Sequence, residues 1–292
     1  MTELATGLDA DNDQLRIFSG RNTKELTGRI CEVLGKPLGD AKTIVFPDGE
    51  LLVKLDEDVR GRDCFVVIST CEPVNDNLVE LLIFIDCLKR ASAKRVTVVM
   101  PYFGYGRQDR KDEGRVPITA KLVANLITGA RADRVLALDL HAAQIQGFFD
   151  LPVDHLTATP VFIQHFRKHR EELGDLCLVS PDVGNMKVAE RVANLLGGDL
   201  AIINKRRLSG SEVETGNLIG SVSGKTVLMY DDMISTAGTI VEAAKLVERQ
   251  GASRIIAAAT HPVLVGPAVE RLANSPVDEL IITDTIPMNG QA

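Results

Sequence analysis

Continuous apolar runs alternate with helically spaced segments along almost the whole of this 292-residue chain. The runs at 64–69, 95–100, 135–140, 176–180, 200–203, 227–230 and 254–259 are short and apolar on both faces, as in buried strands. Between them, 77–90, 118–129, 186–196 and 240–249 carry apolar residues at helical spacing. Strands buried on both faces and joined through helices belong to parallel sheets with helices packed on either side. An internal echo adds a second level. Gly61-Arg62-Asp63, its strand, Val79-Glu80 and Ala93-Lys94-Arg95-Val96 match Gly224-Lys225-Thr226, its strand, Val241-Glu242 and Ala252-Ser253-Arg254-Ile255 in order and layout. The length suits two α/β domains of about 150 residues each. The expected organisation is a polar, disordered 1–14, a first domain at 15–153 and a second at 154–292.

The stretch from Val227 to Ile240, VLMYDDMISTAGTI, holds the densest chemistry. An apolar run ends in Asp231 and Asp232, and a small, hydroxyl-rich loop follows before the helix pattern from Ile240. Small residues let backbone come close to a ligand. The free N–H groups and positive dipole end of the helix then favour a phosphate, with Ser235, Thr236 and Thr239 as hydroxyl donors. The two carboxylates would repel that phosphate, so they suit sugar hydroxyls or a phosphate-bound cation. A plain capped surface loop is the competing reading.

Composition narrows the classes. Net charge is −7, so a broad nucleic-acid surface is not expected, and anion binding must come from local clusters. Two exist, RQDRKDEGR at 107–115 and Lys205-Arg206-Arg207. Five cysteines without a C-x-x-C pair fit free thiols in a reducing compartment. No apolar run reaches the ~20 residues of a membrane span, and MTELATGLDADNDQ is no signal peptide, so a cytoplasmic protein is expected.

Other segments place candidate groups at strand ends. Pro47-Asp48-Gly49-Glu50 lies between apolar runs at 43–46 and 51–55, a hairpin signal whose acids read by default as a solvated turn. Three aromatics and two glycines in PYFGYGRQDRK follow the run at 95–100, where open α/β sheets bind ligands. Aromatic faces and arginine suit a purine and its phosphates, and core-packed aromatics are an equal reading. His141 follows the run at 135–140 and reads alone as a core residue or a metal ligand. His165 and His169, at i and i+4, sit among charges and read as a solvated face. Asp182 follows the run at 176–180, and Lys205-Arg206-Arg207 opens a Gly- and Ser-containing segment that reads as a basic flap able to close over polyphosphate.

The 227–240 stretch resembles the phosphoribosyl-diphosphate (PRPP) loop of type I phosphoribosyltransferases and ribose-phosphate pyrophosphokinases. YGRQDRK, DLHAAQIQGFFD, SPDVGN, INKRR and THPVLVGPAVER occur in the order found in the pyrophosphokinases of bacterial and animal type, so that the resemblance runs from about Leu15 to Thr285. It implies two tandem type I phosphoribosyltransferase-like domains, each a mainly parallel sheet flanked by helices. It also implies transfer of the diphosphoryl group of ATP to the 1-hydroxyl of ribose 5-phosphate, with Mg²⁺, giving PRPP and AMP for nucleotide biosynthesis. Carried over by position, Phe46, Asp48, Gly49, Glu50, Arg107 and Gln108 would form the ATP site, the hairpin residues coming from a neighbouring subunit. Arg207, Asp231, Asp232, Ser235, Thr236, Ala237, Gly238 and Thr239 would hold ribose 5-phosphate. His141 and Asp182 would bind the metal or its water shell, and Lys205 and Arg207 would stabilise charge on the transferring group. A homo-oligomer built from dimers, a homohexamer, is implied, with no nucleic-acid or membrane partner.

Four departures from the family pattern stand out. Ser235 replaces a frequent Asp and keeps a hydroxyl donor; Gly184-Asn185 replaces Gly-Gly; the flap after Arg207 differs; and relatives continue roughly 25 residues beyond Ala292, with expected consequences for stability, assembly and control rather than chemistry. A non-catalytic nucleotide-binding homologue would be expected to lose the catalytic positions, which are present. A phosphoribosyltransferase acting on a base would need no ATP site, against which the RQDRK and PDGE segments argue.

Overall fold

The computed structural model describes residues 14–181, 184, 186–204 and 217–288, together with the backbone pairing of 207–208 and 212–213. The expectation of a disordered 1–14 therefore falls, except for Gln14, outside the described residues. The chain divides into two compact units. One holds the described residues up to Leu156 and also Thr285–Pro287; the other holds residues 157–284 and Met288.

In the first unit, strand β1 (Leu15–Ser19) is followed by helix α1 (Lys24–Leu34) and the strands β2 (Ala41–Val45) and β3 (Leu51–Leu55). Then come β4 (Asp63–Val67), α2 (Val74–Arg90), β5 (Arg95–Met100), α3 (Thr119–Gly129), β6 (Arg134–Leu138) and β7 (Val153–Leu156). Five strands form one sheet in the order β1-β4-β5-β6-β7, every pairing parallel. One sheet face is covered by a core containing Val66, Ile68, Leu81, Phe84, Val98 and Ile127; on the other, Ile17, Cys31 and Val67 pack beneath α1. Continuous apolar strands follow from burial on both faces.

β2 and β3 stand apart as a two-stranded antiparallel hairpin. The expected Asp-Gly turn is present, with Gly49 at φ 91°, a backbone region that disfavours side chains. Facing residues alternate. Thr43 opposite Val53 points inward, whereas Ile44 opposite Leu52 is exposed. Lys42 lies directly opposite Lys54, a like-charge pair that opposes strand pairing. Asp56 resolves it by bridging both ammonium groups, Lys42 at 2.6 Å and Lys54 by a shorter contact. Hydrogen bonds from the two lysines pull the Asp56 carboxyl down to about 2. Carboxyl NMR should therefore give Asp56 a midpoint at about 2, with the bridge intact above that pH and lost as pH falls through it. Titration at about 4, the ordinary carboxylate value, would show that the bridge does not form in solution.

The second unit contains α4 (Thr159–Lys168), β8 (Leu176–Ser180), α5 (Met186–Leu196) and β9 (Asp199–Asn204). It continues through the short pair β10 (Arg207–Leu208) and β11 (Glu212–Val213) to β12 (Asn217–Ile219). β13 (Thr226–Ile234), α6 (Gly238–Arg249), β14 (Arg254–Pro262), α7 (Ala268–Ala273) and β15 (Glu279–Ile282) complete it. Its six-stranded sheet runs β12-β9-β8-β13-β14-β15, parallel except for the antiparallel edge strand β12. Val179, Ile203, Met229 and Ala257 form one core with Ile240, Ala244 and Val247 of α6. On α4, Phe162 meets Tyr230 edge-on at 5.0 Å, while His165 is exposed and His169 bonds to Glu172.

The internal echo is matched bond for bond. Gly61 N–H donates to Ser92 O and Lys94 N–H to Arg62 O; Gly224 N–H donates to Gly251 O and Ser253 N–H to Lys225 O. In both copies the residue just before the next strand is an aspartate whose side chain accepts a neighbouring amide, Val96 to Asp133 at 2.6 Å and Ile255 to Asp278 at 2.7 Å. All five cysteines are free thiols, and burial pushes their pKa upward, Cys64 to about 12, which keeps them protonated and unreactive. Among the described residues no helix is long and apolar enough to cross a membrane.

Candidate active site

β8, β9, β13 and β14 run parallel, so their carboxyl ends share one edge of the second sheet. The loop of residues 235–237 leaves that edge from β13 and enters α6. The apolar run stops at Tyr230, yet the strand does not: Asp231 pairs with Ala259 and Met233 with His261, so both carboxylates lie within β13. They are half-buried. Asp231 Oδ1 accepts the Asp232 amide at 2.9 Å, which fixes one carboxylate against the backbone.

The loop is gripped from one side. Leu264 N–H donates to Ile234 O and Val265 N–H to Ser235 O, both at 3.0 Å, and Arg271 Nη1 donates to Thr236 O at 3.0 Å. Ala237, the residue preceding α6, adopts φ 60°, a left-handed conformation uncommon outside glycine. No side chain caps α6. Its first-turn N–H groups lack intrahelical acceptors by geometry and carry the positive end of the helix dipole. Together with Ser235, Thr236 and Thr239, they form a concentrated set of donors that suits a phosphate. Gly238 supplies a further sign. A Cβ there would meet only Arg271 Nη1 at 3.6 Å and Thr236 Oγ1 at 4.0 Å, both ordinary contacts, and φ is not positive. Neither packing nor φ demands glycine at this position, so the start of the helix is open to close approach.

The first unit gathers its candidates in the same way. β5 and β6 are parallel neighbours, and the segments carrying Arg107-Gln108 and His141 follow their carboxyl ends. The segments pass each other at Gly106, where a Cβ would make an ordinary 3.8 Å contact with His141 Cβ. Arg107, Gln108 and His141 are exposed. The Gln108 carboxamide is bonded by the Thr119 hydroxyl at 2.5 Å, and Asp109 by Gln144 at 3.2 Å. The aromatics resolve toward the core reading. Tyr102 and Phe103 are buried, and Phe103 meets Phe149 edge-on at 5.9 Å. Tyr105 is partly exposed and donates its hydroxyl to Asn75. Gly104 lets this segment lie on Thr70, whose hydroxyl accepts the Gly104 amide at 2.6 Å. His141 is at the surface rather than in the core. The preceding turn is pinned by His155, whose Nε2 accepts the Leu140 amide at 3.0 Å.

Phe46, Asp48, Gly49 and Glu50 occupy the exposed tip of the β2–β3 hairpin. Asp48 Oδ1 accepts the Glu50 amide at 3.1 Å, so one of its oxygens serves the turn itself. Asp182 and Lys205 lie outside the described residues, as does the side chain of Arg207. The strands that precede them, β8 and β9, end at the edge where the 235–237 loop begins. Arg271, which holds the loop carbonyl of Thr236, was not expected from the sequence, although it closes the THPVLVGPAVER segment. Glu80 was missed as well; its signal was its place among Asn77, Leu81 and Phe84 on the inner face of α2.

Comparison with known proteins gives one consistent answer. Residues 15–130 match the N-terminal domain of ribose phosphate pyrophosphokinase, and residues 206–292 match the phosphoribosyl synthetase-associated domain. The ribose-phosphate pyrophosphokinase of Rhodopirellula baltica is 59% identical over 95% of this chain and 88% of its own length. That of Chlorobaculum tepidum is 53% identical over 93% of this chain and 84% of its own length. The crystal structure of phosphoribosylpyrophosphate synthetase from Mycobacterium smegmatis superposes with a TM-score of 0.88 at 44% identity, covering 95% of this chain and 91% of that one. Two mainly parallel α/β units, the loop at the end of β13 and these similarities agree: the chain belongs to the ribose-phosphate pyrophosphokinase family.

Proposed function

We propose that this enzyme transfers the diphosphoryl group of ATP to the 1-hydroxyl of ribose 5-phosphate, giving PRPP and AMP for nucleotide biosynthesis, with the sites divided between its two units. The observation that carries the division is the uncapped start of α6 behind Ser235, Thr236, Ala237, Gly238 and Thr239, with Asp231 and Asp232 on the strand before it. Amides and hydroxyls there bind the 5-phosphate, and the carboxylates accept hydrogen bonds from ribose hydroxyls. Arg107 and Gln108 at the end of β5 contact ATP, joined by Phe46, Asp48, Gly49 and Glu50 from the hairpin of a neighbouring subunit. Exposed Ile44, Phe46 and Leu52 on that hairpin support a site shared in a dimer-based homo-oligomer, read as a homohexamer. The free cysteines agree with a cytoplasmic location.

His141 and Asp182 would each hold Mg²⁺ or its water shell. An imidazole or a carboxylate can each serve the ion or its water shell, because Mg²⁺ takes few protein ligands. When bound, Mg²⁺ neutralises charge on the triphosphate. Lys205 and Arg207 supply cations to the diphosphoryl group as it moves, since phosphoryl transfer is governed by positioning and charge neutralisation.

Gly238→Ala tests the phosphate assignment cleanly. The methyl has room in the free protein, so the melting temperature should hold or rise slightly, as expected for Gly→Ala in a helix. The KM for ribose 5-phosphate should rise by on the order of tenfold or more, about 1.4 kcal/mol per decade, while the KM for ATP changes little. An unchanged KM for ribose 5-phosphate would move the phosphate away from this loop.

A further inference from the structure

Glu80 is the one acidic side chain on the buried face of α2, and it is 0% exposed. Its carboxylate has three donors. Oε1 accepts the Arg21 amide at 3.1 Å and the Thr43 hydroxyl at 2.7 Å, and Oε2 accepts Arg21 Nε at 3.0 Å. Arg21 lies in the turn after β1, and Thr43 lies at the centre of β2. One carboxylate therefore ties the hairpin to α2 and to the end of the main sheet.

Adhesion alone does not account for it. β2 and β3 share no ladder with the five-stranded sheet. Val53 and Leu55 already pack the hairpin against the core, and Cys87 Sγ reaches Val53 O at 3.6 Å. Burying a carboxylate is costly unless it is paired and fully hydrogen-bonded, and an apolar residue of similar size would hold a hairpin at least as firmly. What a hydrogen-bonded charge adds is direction. Apolar contacts let the hairpin rock; the Thr43 hydroxyl on a fixed oxygen does not.

The lever is long. At roughly 3.4 Å per residue, Phe46 is about 10 Å from Thr43, and the turn that carries Asp48 lies beyond it. Rocking by roughly 10° would carry the tip about 2 Å, enough to spoil contacts that need placement within about 1 Å. We propose that Glu80 is a positioning residue for the nucleotide: through Thr43 it fixes the angle of the β2–β3 hairpin and so sets the affinity for ATP without touching it. The proposal rests on the assignment of the hairpin tip to ATP.

Thr43→Val removes the one hydroxyl that joins the hairpin to Glu80 and leaves the Arg21–Glu80 pair in place. Steady-state kinetics on the full chain, with each substrate varied at saturation of the other, should show the KM for ATP raised by on the order of tenfold. The KM for ribose 5-phosphate should stay within about twofold, and Thr43→Ser should restore the parent values. A merely stabilising role predicts a lowered melting temperature with both KM values unchanged or moved together, and that result overturns the proposal. So does a Thr43→Ser variant that behaves like Thr43→Val. Phe46→Ala, measured alongside, separates the two layers. A KM for ATP that responds to Phe46→Ala but not to Thr43→Val overturns the positioning role alone. One that responds to neither overturns the assignment of the hairpin to ATP, and the positioning role with it.

Discussion

Replacing Lys205 by alanine is expected to lower turnover by about 10²–10³-fold, about 3–4 kcal/mol, the effect of losing one preorganised charge donor at a transition state. The expectation rests on the chemistry of the step and on chain position. A moving diphosphoryl group spreads negative charge over its oxygens and asks the protein for cations held in place. Lys205 directly follows β9, whose neighbour β8 pairs with β13, so the chain leaves the sheet at the edge that also gives rise to the 235–237 loop. Because the interaction is made chiefly in the transition state, kcat should fall while the KM values change little. Lys205→Arg should recover part of the rate, since the charge is kept and the geometry is not. An unchanged kcat for the alanine variant would remove Lys205 from the mechanism.

The second large effect is structural. Gly220 closes β12 at φ 113°, a backbone region that side chains rarely occupy. A Cβ there would lie 2.8 Å from Ala201 Cβ, 3.0 Å from Ala201 Cα and 3.1 Å from Leu200 O, all on β9. Most of these atoms belong to backbone in a paired strand and have little freedom to give way. Gly220→Ala combines a strained φ with overpacking, each costing about 1–3 kcal/mol, for an expected loss of about 3–4 kcal/mol. Thermal unfolding should shift down by roughly 10 °C at about 2–4 °C per kcal/mol. The effect should extend to function. β12 and β9 are antiparallel partners, Asn217 opposite Asn204, so they frame the segment that carries Lys205 and Arg207. Activity should fall below what the stability loss explains when assayed well under the melting temperature. A variant that melts like the parent would show that the backbone here relaxes freely.

Much of this architecture was legible from hydrophobic pattern alone. Helix α5 begins and ends where spacing placed it, and Asp-Gly located the hairpin turn. The echo of Gly-Lys-Thr with Gly-Arg-Asp survives as matched strand-start hydrogen bonds, because those glycines and aspartates do the same local work twice. Other features rest on tertiary pairing rather than composition. β13 runs on through Asp231 and Asp232 because β14 supplies backbone partners there, and a ladder does not require apolar side chains at a sheet edge. Tyr102 and Phe103, after a strand end, fit a ligand face or a core equally from sequence, and the bonds to Thr70 that turn the segment inward decide for the core. Glu80 stands in the internal echo and Arg271 in THPVLVGPAVER, but their partners lie dozens of residues away, a relation that periodicity does not encode.

The central claim is the transfer of two phosphates in one step. Purified protein with ATP, Mg²⁺ and ribose 5-phosphate, analysed by mass spectrometry, should yield AMP and PRPP in equal amounts, and EDTA should abolish both. ADP with a singly phosphorylated sugar product would mean ordinary γ-phosphoryl transfer and would contradict the account.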